Sequence, residues 1–177
     1  MKKVLYFAAL LLCMGLTSCE KEEVGGTATQ EMAGEWYVTV DAADASGNVV
    51  EGLEDPFGLG RIHVLTYNST SNNPNEIIVD DLGNFWSFQV KAACDQNSLT
   101  FSTNTSDNNN LVSDYTDINV TITGGKIIKG GGVQNNGSKA DYIEFYVSFS
   151  DDPYPAAYGY TSYKVSGVRY SGLVEND

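Results

Sequence analysis

The chain has 177 residues, with 10 basic and 23 acidic side chains, one histidine and three cysteines, and a formal net charge of −13. That balance excludes nucleic acid and anionic headgroups as charge-driven partners, because binding phosphate needs clustered Lys and Arg. A single histidine rules out a multi-histidine metal centre, and three scattered cysteines cannot build a disulfide framework or a Cys-based zinc site.

The N-terminus reads in three parts. Met1-Lys2-Lys3 is positive, Val4 to Leu16 is a run of 13 uncharged residues, and small residues lead to Cys19. The run fits the apolar region of a secretory signal and falls short of the roughly 20 residues that span a bilayer. Leu16-Thr17-Ser18-Cys19 resembles the lipobox of bacterial lipoproteins. The resemblance implies that residues 1–18 are a signal peptide, that the Cys19 thiol is acylated, and that Cys19 becomes the first residue. Several acyl chains hold a protein stably on a membrane where one does not. Losing 18 residues that carry two lysines leaves 159 residues and a charge of −15, enough for one domain with a sizeable core.

Residues 19–30 (CEKEEVGGTATQ) are charged, Gly/Thr-bearing and poor in apolar side chains, and so read as a flexible tether. The acidic cluster with a lysine after Cys19 resembles the surface-export signal of Bacteroidetes lipoproteins. That implies the outer leaflet of the outer membrane, facing outward; a solvated linker is the alternative.

Residues 31–177 alternate, and form one domain. Trp36, Val38 and Val40 share one parity, as do Ile118, Val120 and Ile122, and again Ile143, Phe145, Val147 and Phe149. Period two with β-branched and aromatic residues marks half-buried antiparallel strands. Further strands are expected at Arg61–Tyr67, Glu76–Asp80, Phe85–Ala92, Ser98–Thr103, Lys126–Lys129 and Tyr160–Tyr170. Turns are expected at Ser46-Gly47-Asn48, Gly83-Asn84, Gly124-Gly125, Gly130-Gly131-Gly132 and Asn136-Gly137. Only Pro56–Gly60 or the loop before Tyr160 offers a short helical turn. Eight or nine sequential strands can close as an up-and-down barrel. A two-sheet sandwich accounts for the same alternation nearly as well.

The two ends of the domain favour the barrel. Gly34-Glu35-Trp36 and the late Arg169 resemble the lipocalin and calycin pattern, in which an arginine packs over the first strand's indole and closes the barrel bottom. Parity is compatible, unless a bulge at Gly167 breaks it. Together with the lipobox, Met32-Ala33-Gly34-Glu35-Trp36-Tyr37-Val38 and Val165-Ser166-Gly167-Val168-Arg169-Tyr170-Ser171-Gly172 resemble a family of Bacteroidetes lipoproteins described as lipid-binding putative hydrolases of calycin-like fold. The resemblance implies an eight-stranded barrel with an apolar pocket.

Catalytic chemistry has few candidates. His63 would have to serve any Ser-His-Asp triad, and its parity opposes that of Ile62 and Val64, so it is expected to point outward or sit at the rim. No Gly-x-Ser-x-Gly elbow or His-Glu-x-x-His is present. Asp80-Asp81 and Asp151-Asp152 read as solvated turn residues, with a rim calcium site at the second pair as the alternative. Cys94 is expected to be a small buried hydrophobe. No cofactor or metal is expected, and an enzymatic role is not favoured.

The expected function is therefore binding. A monomer on its lipid anchor would hold a small apolar or amphipathic ligand in the barrel, lined by Trp86, Phe88, Phe145 and Phe149, with Tyr158 and Tyr160 near the entrance. Trp36 and Arg169 would close the other end. The alternatives are a surface module that binds glycans or proteins through Tyr154 and Tyr158, or a weak hydrolase.

Overall fold

A computed structural model describes residues 26–104 and 108–176. The signal peptide, Cys19 and residues 19–25 of the tether lie outside the described residues. Eight antiparallel strands follow one another: β1 (Gly34–Ala43), β2 (Ile62–Asn68), β3 (Glu76–Asp80), β4 (Gln89–Asp95), β5 (Thr100–Ser102), β6 (Val120–Val133), β7 (Lys139–Phe149) and β8 (Ser162–Arg169). Each pairs with its neighbours in sequence, and β8 returns to β1, so the sheet closes as an up-and-down barrel. Closure removes the sandwich alternative and leaves the sheet without a free edge strand.

Alternation decides what fills the barrel. Trp36, Val38, Val40 and Ala42 of β1 point inward, as do Ile143, Phe145, Val147 and Phe149 of β7. Most of the inward residues are at or near zero exposure: Trp36, Val40, Ile77, Val90, Ile122, Phe145 and Tyr163 are 0–1 % exposed. A void large enough for water would leave accessible area on the side chains around it. The interior is therefore packed rather than hollow, as eight-stranded barrels allow.

The bottom end is closed by the residues that carried the resemblance. Arg169 Cζ sits 4.5 Å from the Trp36 ring centroid, and its Nη1 donates to the Ala33 carbonyl at 2.8 Å. Trp36 Nε1 donates to Thr66 Oγ1 at 2.8 Å, and that hydroxyl donates to the Met32 carbonyl at 2.6 Å. Gly34 has a steric reason: a Cβ there would occupy the place of the Arg169 guanidinium. No bulge interrupts the β1–β8 register from Trp36↔Arg169 to Ala43↔Ser162. Gly167 instead allows close approach, because a Cβ there would overlap the backbone of Tyr37 and Val38.

Several local expectations need correction. Gly124-Gly125 and Gly130-Gly131-Gly132 are not turns between strands but irregularities within β6, where the register to β7 shifts at Thr123/Lys126 and Ile128/Gly132. Glycine pairs carry the same positive-φ signal in a bulge as in a hairpin, so the two are indistinguishable by composition. β4 begins at Gln89 rather than Phe85, because Phe85–Phe88 fold as a loop over the barrel mouth. Cys94 is half-buried rather than buried. Thr27–Gln30, grouped with the tether, form a turn on the barrel bottom in which Thr29 is fully buried. A short helix, α1 (Tyr154–Tyr158), ends at Gly159, whose φ of 80° supplies the left-handed cap.

Candidate functional site

The loops 44–61, 81–88 and 150–161, with the described residues 103–104 and 108–119, gather at the end opposite Trp36 and Arg169, and the first three build the mouth. The β3–β4 loop is organised by one side chain. Asp81 is 1 % exposed. Its Oδ1 accepts from the amides of Gly83 and Phe88, both at 2.9 Å. Its Oδ2 accepts from those of Phe85, Trp86 and Ser87 at 3.1, 2.8 and 2.9 Å. Five amides on one carboxylate wind the loop into a tight cup, with Leu82 and Ser87 at positive φ. Asp81 is thus a buried loop organiser, not a solvated turn residue. Asp80 is also engaged, accepting from Tyr67 Oη and Gln89 Nε2, both at 2.9 Å. Burial and that carboxylate push the Tyr67 hydroxyl up to about 12.

The cup lays Phe85 and Trp86 across the barrel top. Trp86 stacks on Phe149 with 4.9 Å between centroids and 8° between planes. Phe85 meets Tyr163 edge-on at 5.0 Å, and Phe88 packs on Phe149 at 5.6 Å. From the β1–β2 loop, Phe57 reaches over this layer to Phe85, Tyr163 and Tyr154 at 5.6–5.7 Å. Ring pairs in these tilted and stacked geometries contribute beyond their buried area.

The acidic pair of the β7–β8 loop pins the layer from above. Asp151 Oδ1 accepts from Trp86 Nε1 at 3.1 Å, and Asp152 Oδ2 accepts from Tyr163 Oη at 2.7 Å. Tyr163 has one hydroxyl proton and gives it to Asp152, so Tyr160 donates to Tyr163 across 2.6 Å. Burial raises the ionisation of both tyrosines above the ordinary range. At Tyr163, the hydrogen bonds and the Asp152 charge push in the same direction. Among the described residues no three His, Cys, Asp or Glu side chains converge to hold a metal ion. The two aspartates are spent on the tyrosine and tryptophan instead.

Outside the aromatic layer lies an open cleft of about 490 Å³. Leu53, Glu54, Asp55, Pro56 and Phe57 form one wall, and Tyr154, Tyr158 and Tyr160 the other. Tyr158 is 63 % exposed, its ring 6.3 Å from that of Tyr154, while Tyr160 is 5 % exposed and forms the floor. The residues expected to hold a ligand therefore divide. Tyr158 and Tyr160 line the cleft; Trp86, Phe88 and Phe149 form the packed layer beneath it; Phe145 lies deeper, against Phe101 at 5.7 Å. Phe57 and Leu53 were not singled out from the sequence, although an aromatic in a Pro/Gly loop beside two acids was an available signal.

His63 stands apart from this site. It lies on the outer face of β2, between the rings of Tyr37 and Tyr170 at 5.0 and 4.6 Å. Its Nδ1 is 2.9 Å from Glu35 Oε1, close enough for an ion pair but not aligned as a hydrogen bond. Its ring and charge contacts include no serine or cysteine. A second opening, of about 430 Å³, lies along the β4–β5–β6 seam beside Cys94 and Lys126. Burial there raises the Cys94 thiol's ionisation, which disfavours the nucleophilic thiolate.

Comparison with known proteins adds the family. No curated protein matches the chain. A family model described as "Lipid-binding putative hydrolase" matches residues 21–174, which takes in every strand of the barrel and all the loops of the mouth. A closed eight-stranded barrel with an aromatic mouth, matched over that length, makes this chain a member of the lipid-binding putative hydrolase family.

Proposed function

We propose that this protein is a lipid-anchored outer-membrane binding protein that takes a small amphipathic ligand at the mouth of its barrel, not inside it. The observation that carries the reading is the cleft of about 490 Å³ seated on a filled barrel, where Leu53, Pro56, Phe57 and the tyrosines offer apolar and aromatic walls above the Trp86–Phe149 layer. Family membership supports a lipid-like ligand, and the Cys19 motif supports the anchor.

The fold supports a cleft that faces away from such an anchor. The chain enters the domain at the bottom, where Arg169 and Thr66 hold the Ala33 and Met32 carbonyls. The mouth lies at the far end of β1, whose 10 residues span about 30 Å. Acyl chains on Cys19 would therefore hold the cleft away from the membrane, toward ligand arriving from outside.

Titration of the protein with monolauroylglycerol below its micelle threshold tests the reading. Saturable binding is expected, and it should be lost in a Leu53→Asp/Tyr158→Ala double variant that keeps the wild-type Tm. Absence of saturable binding, or binding unchanged in that variant, overturns the mouth site.

A further inference from the structure

The distribution of charge around the cleft goes beyond its apolar walls and specifies the ligand's headgroup, given the reading that the mouth binds an amphiphile. Over residues 44–61, 81–88, 108–119 and 150–161, the described loops at the mouth end carry Asp44, Glu51, Glu54, Asp55, Asp81, Asp114, Asp117, Asp151 and Asp152, against one basic residue, Arg61. The other described basic residues lie elsewhere. Lys91, Lys126, Lys129, Lys139, Lys164 and Arg169 are on strands, whereas Arg61 precedes β2 and is held over the Tyr37 ring at 4.2 Å. Four of the strand lysines and Arg169 are already matched to Glu76, Glu144, Glu31 or Asp141.

The consequence is a cleft with a one-signed field. Charges of one sign around a low-dielectric concavity concentrate ions of the opposite sign and repel those of the same sign. Glu54 and Asp55 are in the cleft wall itself. The opposite wall is made of Tyr154, Tyr158 and Tyr160, and the quadrupole of an aromatic ring also attracts cations. A bare metal ion is a poor match, because among the described residues no three carboxylates converge and the remaining cleft lining is apolar or aromatic. A fatty-acid carboxylate would find no lysine or arginine in the cleft lining, since Arg61 is turned away over the Tyr37 ring.

We infer that the mouth cleft selects amphiphiles with a cationic organic headgroup, such as a quaternary ammonium, seated against Glu54 and the rings of Phe57 and Tyr158. The acyl chain or other apolar portion lies on Leu53 and Pro56. Asp55 contributes charge without needing to touch the ligand, since its carboxylate holds the Leu59 and Gly60 amides at 2.7 and 2.8 Å.

Three C12 probes, each kept below its micelle threshold at low salt, test this on the full protein. They are dodecyltrimethylammonium, monolauroylglycerol and dodecanoate. The expected order of affinity is cation, then neutral, then anion, with at least about tenfold between the first and last. Glu54→Gln should weaken the cation by about threefold and leave the neutral probe unchanged. Tyr158→Leu, which keeps apolar area but removes the π face, should weaken the cation by about threefold more than the neutral probe. Equal binding of all three probes, or preference for dodecanoate, overturns the headgroup inference while leaving the binding reading intact. Failure of every probe to bind overturns both.

Discussion

Asp81 shows how much one side chain decides at the mouth. Its two oxygens satisfy five amides, that of Phe88 buried and the other four partly buried. Leaving several of them unsatisfied costs more than one ordinary hydrogen bond, because each carries its own desolvation penalty. Asp81→Ala should lower the unfolding free energy by about 3 kcal/mol or more, read from urea denaturation, and should release Trp86 from Phe149 with a shifted emission maximum. A loss below about 1 kcal/mol would show that the loop holds its shape without the carboxylate. At the other end, Gly34→Ala should displace the Arg169 guanidinium and destabilise the barrel by about 1–2 kcal/mol. His63 has a different expectation: His63→Ala should leave any esterase activity of the protein unchanged, since the ring lies on the outer wall against Glu35.

At the scale of the element, the strands show why some structure is legible in a sequence and some is not. The β1, β2 and β7 segments could be read directly, because one face of each is buried and side chains alternate with period two. The Trp36–Arg169 pair was legible from its end motifs and parity. What lay hidden was long-range. Phe85 and Trp86 look like a strand continuing into β4, until a buried carboxylate four and five residues upstream captures their amides. "Asp-Asp" reads as a solvated turn because nothing local distinguishes a carboxylate facing water from one facing five N–H groups. The glycines of β6 read as turns because a bulge and a hairpin both ask for positive φ.

The β7–β8 loop and β8 make an element-scale prediction about pH. In the unfolded chain Tyr163 ionises near 10, whereas in the fold burial, Tyr160 and Asp152 keep it protonated well above that. Above pH 10 the folded state therefore binds more protons than the unfolded one, and stability falls as pH rises. Below pH 10 both states are protonated and the contribution is constant. Tyr67 adds a share that ends near pH 12. Tm measured between pH 8 and 12 should decline beyond pH 10, and Tyr163→Phe should flatten that decline. An identical slope in the variant would mean that Tyr163 does not hold its proton through the Asp152 bond.

The whole molecule divides its labour between two ends. The bottom is a structural closure, where Arg169, Trp36, Thr66 and the entering chain lock together. The top is sealed by a layer of aromatic rings, and a cleft rests on the seal. Aromatic content and lipocalin-like ends suggested a pocket within the barrel; packing of those same aromatics against one another moves the available space to the outside of the layer. The two tryptophans mark the two ends, with Trp86 at the mouth and Trp36 about one strand length away. Quenching by a C12 amphiphile brominated on its chain therefore locates the ligand most directly. Wild-type emission should be quenched on binding, and the Trp86→Phe variant, which reports only Trp36, should bind the probe without quenching. Quenching of Trp36 in that variant would contradict the account, because it would place the chain inside the barrel.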